Sequence, residues 1–164
     1  MSTELVAQEE HAPTTKGDAD KEFLTFRVQK QLFGVPVLAV QDVLGTQKLA
    51  PIPLAKPEIA GVLNLRGRIV TAINVRRRLG LKALPKDAPM MNVVVEHNGE
   101  LYSLIVDSVG EVLSLSQSIY ENNPTTLDPS WREFSAGIFR LKNELLVVLD
   151  VASLLNLNPK KDDK

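Results

Sequence analysis

The chain contains no cysteine, which removes disulfides, thiol nucleophiles and thiolate metal ligands from consideration. Histidine is nearly as scarce. His11 lies in a polar stretch and His97 beside an Asn-Gly pair, and neither sits in a motif that would make it a general base. There is no glycine-rich phosphate loop, no His-Glu-x-x-His and no aspartate series at calcium-loop spacing, so no cofactor, no metal and no enzymatic activity are expected. Aromatic residues make up only 5% of the chain. No apolar run approaches the roughly eighteen residues of a membrane span. The first twenty residues carry Glu4, Glu9, Glu10, Lys16, Asp18 and Asp20 where a signal peptide would be apolar, and a cytoplasmic location is expected. The formal net charge of −1 provides no long-range field to gather nucleic acid or anionic lipid.

What the chain does have is repetition. The block Ala60-Gly61-Val62-Leu63-Asn64-Leu65-Arg66-Gly67-Arg68-Ile69-Val70 and its continuation to Val75 returns without a gap at residues 136–151. A weaker match aligns residues 32–44 with residues 101–113. Within 164 residues, 44% hydrophobic and 24% charged, this describes one globular domain built from two similar halves. Features shared by the halves belong to the fold, whereas features carried by one half are candidates for function.

Residues 23–28 and 32–37 form an expected hairpin, and Asn98-Gly99, the preferred pair for a type I′ turn, marks its counterpart in the second half. The repeated block adds a hairpin to each half, turning at Arg66-Gly67 and at Lys142-Asn143; Gly and Asn share a position that would call for positive φ. Short helical stretches follow at 75–81 and 151–157, with Gly80 and Asn156 as stops. Pro51, Pro53 and Pro57, and later Pro124 and Pro129, mark residues 43–60 and 116–135 as connections. About ten short strands, few helices and an internal repeat predict a mainly β fold of two similar five-stranded antiparallel barrels packed on each other. Closed barrels would also remove exposed strand edges.

Two features ask for a chemical reading. Asp107 and Asp150 each end an apolar strand, and turn or cap roles are expected of them. Arg66, Arg68, Arg76, Arg77 and Arg78 fall close together and form a candidate basic strip for nucleic acid, although no aromatic is interleaved with them as a stacking platform requires. Arg66 stands apart, because a tight turn would hold its rigid fork of donors at a fixed place.

Residues Gly61-Val62-Leu63-Asn64-Leu65-Arg66-Gly67-Arg68-Ile69-Val70, followed by Val75-Arg76-Arg77-Arg78-Leu79-Gly80, resemble the signature of the CheW family of bacterial chemotaxis coupling proteins. The similarity runs from Phe23 to about Leu157. It includes Phe33-Gly34-Val35, Val40-Gln41-Asp42-Val43 and Val109-Gly110-Glu111-Val112-Leu113-Ser114-Leu115. The resemblance implies two five-stranded barrels around a shared apolar interface. The domain is expected over residues 22–158, after residues 1–21, whose polar and aperiodic sequence describes a disordered tail, and before a polar tail 159–164. It implies a non-enzymatic adaptor in two-component signal transduction. Such an adaptor couples the cytoplasmic tips of methyl-accepting chemoreceptors to the histidine kinase CheA, whose regulatory domain shares the fold. The protein would then be recruited to membrane-associated arrays without inserting into the membrane.

Carried over by position, the receptor-binding groove involves Val37, Val40, Asp42, Gly61, Leu63, Asn64, Arg66 and Gly67, with Asp42 expected to pair with Arg66 and orient it. Kinase contacts fall at exposed ends of the barrels, with no residue assigned. The family often has proline where Thr71 stands and aspartate where Asn74 stands, which puts the exit of this hairpin in question. A coupling protein of the same fold in another kinase pathway, such as twitching motility, would carry the same pattern. The arginine strip keeps nucleic-acid binding as an alternative of a different class.

Overall fold

The structure, a computed structural model, describes residues 20–82, 84, 85, 87–125, 127 and 129–156. The expected tail 159–164 and His11 lie outside the described residues, as does the tail 1–21 up to position 19. The first strand already begins at Asp20.

In chain order the elements are β1 (Asp20–Val28), β2 (Gln31–Pro36), a 3-10 turn (Val37–Ala39), β3 (Val40–Leu44), β4 (Ile59–Leu65), β5 (Arg68–Asn74) and α1 (Val75–Arg78). The second half contributes β6 (Met91–His97), β7 (Glu100–Val106), β8 (Ser108–Ser116) and a 3-10 turn (Gln117–Ile119). It ends with β9 (Tyr120–Glu121), α2 (Pro129–Arg132), β10 (Ser135–Arg140), β11 (Leu145–Leu149) and α3 (Val151–Leu155). The long link before β10 is therefore more than a connection. It holds the edge strand β9 and a helix that starts at Pro129, where the missing N–H of proline costs nothing.

The turns divide by chemistry. Arg66 and Gly67 have φ of 52° and 85°, and Asn98 and Gly99 have 54° and 81°, as a type I′ turn demands. Asn143 is not at positive φ. The second copy turns through a wider link, in which the Leu141 N–H donates to the Glu144 carbonyl at 2.9 Å, so the expected equivalence with Gly67 fails. Gly80, at φ 80°, ends α1 while the Leu81 N–H returns to the Arg76 carbonyl at 2.8 Å. Asn156 ends α3 without the left-handed conformation.

The strands form two sheets, ordered β9-β10-β11-β2-β1-β8 and β3-β6-β7-β5-β4. Each contains one parallel pairing, β11 with β2 and β5 with β7, so the sheets are not antiparallel throughout. The parallel pairs arise because the halves exchange hairpins. The β1–β2 hairpin of the first half completes the sheet built from the second, and β6–β7 completes the sheet built from the first. In the first sheet, the end strands β8 and β9 are joined by the three residues of a 3-10 turn. The four steps from Ser116 to Tyr120 reach at most about 14 Å, whereas the edges of a flat six-stranded sheet stand about 24 Å apart. The sheet must therefore curl into a barrel. In the second sheet Ala50 plays the part of β9, exchanging backbone hydrogen bonds of 2.9 Å with Val62 on β4.

Burial on both faces explains the unbroken apolar runs. On β6, Val93 and Val95 enter the cluster shared between the sheets, with Phe26, Phe33, Ile73, Leu104, Ile138 and Leu149. Val94 instead points into the second barrel, beside Leu63, Val70, Ala72, Leu101 and Ile105. The first barrel is filled by Phe23, Leu32, Phe139, Leu146 and Val148. Gly61 and Gly137, aligned in the repeat, both sit at register shifts where the crossing segment presses on the strand. A Cβ on Gly61, whose φ is 147°, would lie 2.6 Å from the Ala50 carbonyl oxygen, and one on Gly137 would meet the Tyr120 ring.

Candidate functional site

The Arg66-Gly67 turn is held from within, since Asn64 Oδ1 accepts the Gly67 N–H at 3.0 Å. Arg66 then reaches sideways, and its Nη2 donates to Asp42 Oδ2 at 3.0 Å. Asp42 is on β3 and Arg66 follows β4, the two end strands of the second sheet. The ion pair thus bridges the seam of the second barrel with side chains. Asp42 is itself set by the Val43 N–H, which donates to its Oδ1 at 2.9 Å. The Asp42 side chain is 23% exposed and the Arg66 side chain 76%, so one carboxylate oxygen holds the guanidinium while most of its donor fork faces solvent. A pair this exposed contributes about 0–1 kcal/mol to stability; its effect is to orient.

The remaining expected site residues divide. Val37 and Val40 are half-buried, packing their inner sides on the shared core. Val37 and Leu38 border a groove of about 460 Å³ with Asp20, Lys21, Glu22, Pro36 and Ser114. Leu38, 95% exposed, was not among the expected contacts. Its alignment with Asp107, a polar junction residue in the second half, is the sequence signal that marks it. Leu63 does not line a surface. It is 7% exposed and belongs to the core of the second barrel, because strand alternation sends it inward with Leu65 while Asn64 faces out. Gly61 is likewise buried and is fixed by the crossing of Ala50. Both are corrections to the expected groove; of its other residues Asn64, Arg66 and Gly67 are exposed, and Asp42, Val37 and Val40 are partly exposed.

The arginine strip does not exist as a continuous face. Arg76 is buried, binds Asp107 through Nε–Oδ1 at 2.9 Å and Nη2–Oδ2 at 2.7 Å, and donates Nη1 to the Lys82 carbonyl. Arg78 donates to the carbonyls of Ser153, Leu154 and Asn156 at the C-terminal end of α3, and lies 4.7 Å from the centre of the Phe134 ring. These two arginines hold the fold together, leaving Arg66, Arg68 and Arg77 as the exposed members.

Burial pushes the Asp107 carboxyl up. The Arg76 hydrogen bonds, the Gln29 N–H at 2.8 Å and the Arg76 charge outweigh that and hold it below the usual carboxylate range. The Arg76 guanidinium is correspondingly raised, through its hydrogen bonds to Asp107 against the opposing effect of burial.

Asp150 caps α3 by accepting the Ser153 N–H at 3.3 Å, and Asn74 caps α1 by accepting the Arg77 N–H at 3.2 Å. Asparagine at position 74 therefore keeps the capping function that aspartate performs in the other half. Among the described residues no three or more histidines and acids gather as a metal site, and His97 has only the neighbouring Asn98 amide as a side-chain partner, at 3.3 Å. No helix among the described residues is long and apolar enough to cross a membrane.

A repeated double barrel that holds an exposed arginine oriented across one seam has the form of a contact-making protein. The comparison with known proteins agrees. Residues 22–158 match the CheW-like domain, and the chain belongs to that family, one of scaffolding proteins without catalytic activity. It is 28% identical over 136 residues to the chemotaxis protein CheW of Klebsiella aerogenes, covering 83% of this chain and 82% of that protein. The chemotaxis protein CheW of Rhizobium meliloti is 27% identical over 134 residues, covering 82% and 86%. Protein PilI of Pseudomonas aeruginosa is 26% identical over 147 residues, covering 90% and 79%. Among solved structures, the scaffolding protein TtCheW of Thermoanaerobacter tengcongensis superimposes with a TM-score of 0.76 at 28% identity, covering 85% of this chain and 94% of that one.

Proposed function

We propose that the protein is a cytoplasmic chemotaxis adaptor that joins the tips of methyl-accepting chemoreceptors to the histidine kinase CheA within a signalling array. The observation that carries this reading is the Asp42–Arg66 pair, which holds an exposed guanidinium at a fixed place across the barrel seam. A helical receptor tip lays an apolar stripe against Val37, Leu38 and Val40, and Arg66 sets its register against a carboxylate or a helix-end carbonyl. Pairwise contacts of this size are weak alone and gain from linkage, because neighbouring sites in an array raise the effective concentration.

The test is co-sedimentation of the full chain with receptor signalling fragments and CheA on a template, with kinase phosphorylation measured in the same tubes. The adaptor reading predicts capture of the chain and raised kinase activity. No capture and no activation with matched partners would overturn it. The similarity to Protein PilI supports one second reading, the same coupling role in another kinase pathway such as twitching motility. Matched receptors and kinase from that pathway, used in the same assay, separate the two.

A further inference from the structure

The two barrels are built on one pattern and filled unequally. Phe23 faces Pro36 across the β1–β2 hairpin as Asn92 faces Ile105 across β6–β7, so asparagine stands in the second barrel where phenylalanine stands in the first. The other core positions shrink with it. Phe139, Leu146 and Val148 of the first barrel answer to Leu63, Val70 and Ala72 of the second, and Ile105 in place of Pro36 restores only part of the volume. Phe23 and Tyr120 each stand 5.3 Å from Phe139, ring centre to ring centre, and plug the first barrel. Ala50, in the place of β9, brings no ring to the second. A Cβ on Gly34 in the first barrel would lie 3.0 Å from Leu146, whereas its counterpart Ser103 is accommodated and fully buried.

Because protein interiors pack closely, such a loss of side-chain volume leaves a space. A cavity of about 590 Å³ opens at one end of the second barrel, against Ala60 at the start of β4, Asn74 at the end of β5, Asn92 near the start of β6 and Ile105 near the end of β7, with Leu49 and Met90 beside them. Small-molecule sites span roughly 300–1,000 Å³ and combine such apolar walls with a few placed polar groups.

The polar groups choose the ligand. Asn74 Oδ1 is committed to the Arg77 N–H, which leaves the Nδ2 donor. Asn92 Oδ1 accepts the Ser103 hydroxyl at 2.7 Å and its Nδ2 donates to the Gly45 carbonyl at 2.9 Å, which leaves the second amide proton. Thr46 exchanges hydrogen bonds with the Met90 backbone, and Gln47 Nε2 donates to the Gly45 carbonyl at 3.3 Å, so Gln47 Oε1 is the acceptor that remains. Lys48 adds a cation, and no acid lines the cavity among the described residues. Asp150, the counterpart of Asn74 in the first half, caps its helix with a carboxylate; asparagine keeps the cap without the charge.

We propose that the second barrel is a binding site for a one-ring aromatic carboxylate, whose ring takes the place that Phe23 and Tyr120 fill in the first barrel and whose carboxylate accepts from Asn74, Asn92 and Lys48. The site stands on the barrel alone and does not depend on the adaptor reading. The experiment titrates the full chain with phenylacetate, phenylacetamide and acetate, following backbone amide NMR shifts, for wild type, Lys48→Gln and Asn74→Asp. Thermal unfolding of each is recorded alongside.

Phenylacetate gives saturable shifts at Asn74, Asn92 and Ile105, with a dissociation constant of about 1 mM or lower. Acetate, lacking the ring, gives none over the same range, and phenylacetamide, lacking the charge, binds more weakly by about fivefold or more. Asn74→Asp keeps its cap, so its unfolding midpoint stays within about 2 °C of wild type. It nevertheless binds phenylacetate more weakly by about tenfold or more, through like-charge repulsion. Lys48→Gln brings phenylacetate down to the level of phenylacetamide. An absence of saturable shifts, shifts confined to another surface such as the groove beside Leu38, or acetate binding as tightly as phenylacetate overturns the site. Unchanged phenylacetate binding by both variants overturns the carboxylate assignment.

Discussion

The two hairpins of the repeated block fold alike and end differently. In the first, Arg66-Gly67 makes a two-residue turn and the guanidinium crosses the barrel seam to Asp42. In the second, residues 141–144 make a wider turn whose Glu144 pairs with Arg27 at 2.8 Å. Glu111 and Lys142, the counterparts of Asp42 and Arg66, form no such bridge among the described contacts. The glycines at the two register shifts and the caps Asn74 and Asp150, by contrast, do the same work in both halves. Duplication has kept the parts that close each barrel and left one turn free to specialise. Shared features should therefore change stability when altered, and the unshared turn should change binding.

The largest stability effect is expected at Gly61. Gly61→Ala brings a Cβ onto the Ala50 carbonyl at a φ unsuited to alanine and should cost about 3 kcal/mol in urea unfolding. A loss below about 0.5 kcal/mol, the size of an ordinary surface change, would break the argument that the repeat marks the fold.

Next is the Arg76–Asp107 pair, present in one half only yet serving the fold. Asp107→Asn should destabilise by about 2 kcal/mol, since a partly buried guanidinium loses its charge partner. The pH dependence has a definite sign. The folded-state pKa of Asp107 is lowered, so the stabilisation is fully present above the unfolded carboxylate value of about 4. It is lost as pH falls from there through the folded value. Unfolding midpoints measured from pH 7 down to pH 3 should converge for wild type and Asp107→Asn; parallel curves would contradict this.

Removing a cap in either half should cost about 1 kcal/mol. Asn74→Ala and Asp150→Ala should agree within a factor of two in the same unfolding assay, and a large inequality would show that the halves have diverged here as well. Smallest in stability is Asp42→Asn, at about 0–1 kcal/mol. In calorimetric titration with receptor fragments it should nevertheless weaken binding by freeing the arginine. If Asp42→Asn leaves receptor binding unchanged while Arg66→Ala abolishes it, the orienting role of the pair is wrong.

Much of this was legible in the sequence. The Asn98-Gly99 and Arg66-Gly67 turns follow from residues that accept positive φ, and the repeat announced two similar sheets. What the repeat cannot reveal is which copy pairs with which. Val35 and Leu104 look equally ready for either sheet, so the exchange of hairpins and its two parallel pairings were hidden. The arginines were misleading for a related reason. Arg76 finds its carboxylate 31 positions away and Arg78 its carbonyls 75 to 78 positions away, distances at which a cluster in sequence says nothing about a cluster in space. Leu63 enters the expected groove only through the resemblance, while the two-residue period of its strand sends it inward. Of the site, the Asp42–Arg66 pairing was readable from charge and position. The exposed Leu38 was not, since exposure belongs to tertiary structure.

The most direct test compares the two turns. Arg66→Ala and Lys142→Ala, aligned positions of one repeat, would be assayed side by side for co-sedimentation with receptor fragments and CheA. The account predicts that Arg66→Ala lowers receptor affinity about 30-fold, as expected for a central anchor, with kinase activation lost, while Lys142→Ala behaves as wild type. Equal effects of the two substitutions, or none from Arg66→Ala, would contradict it.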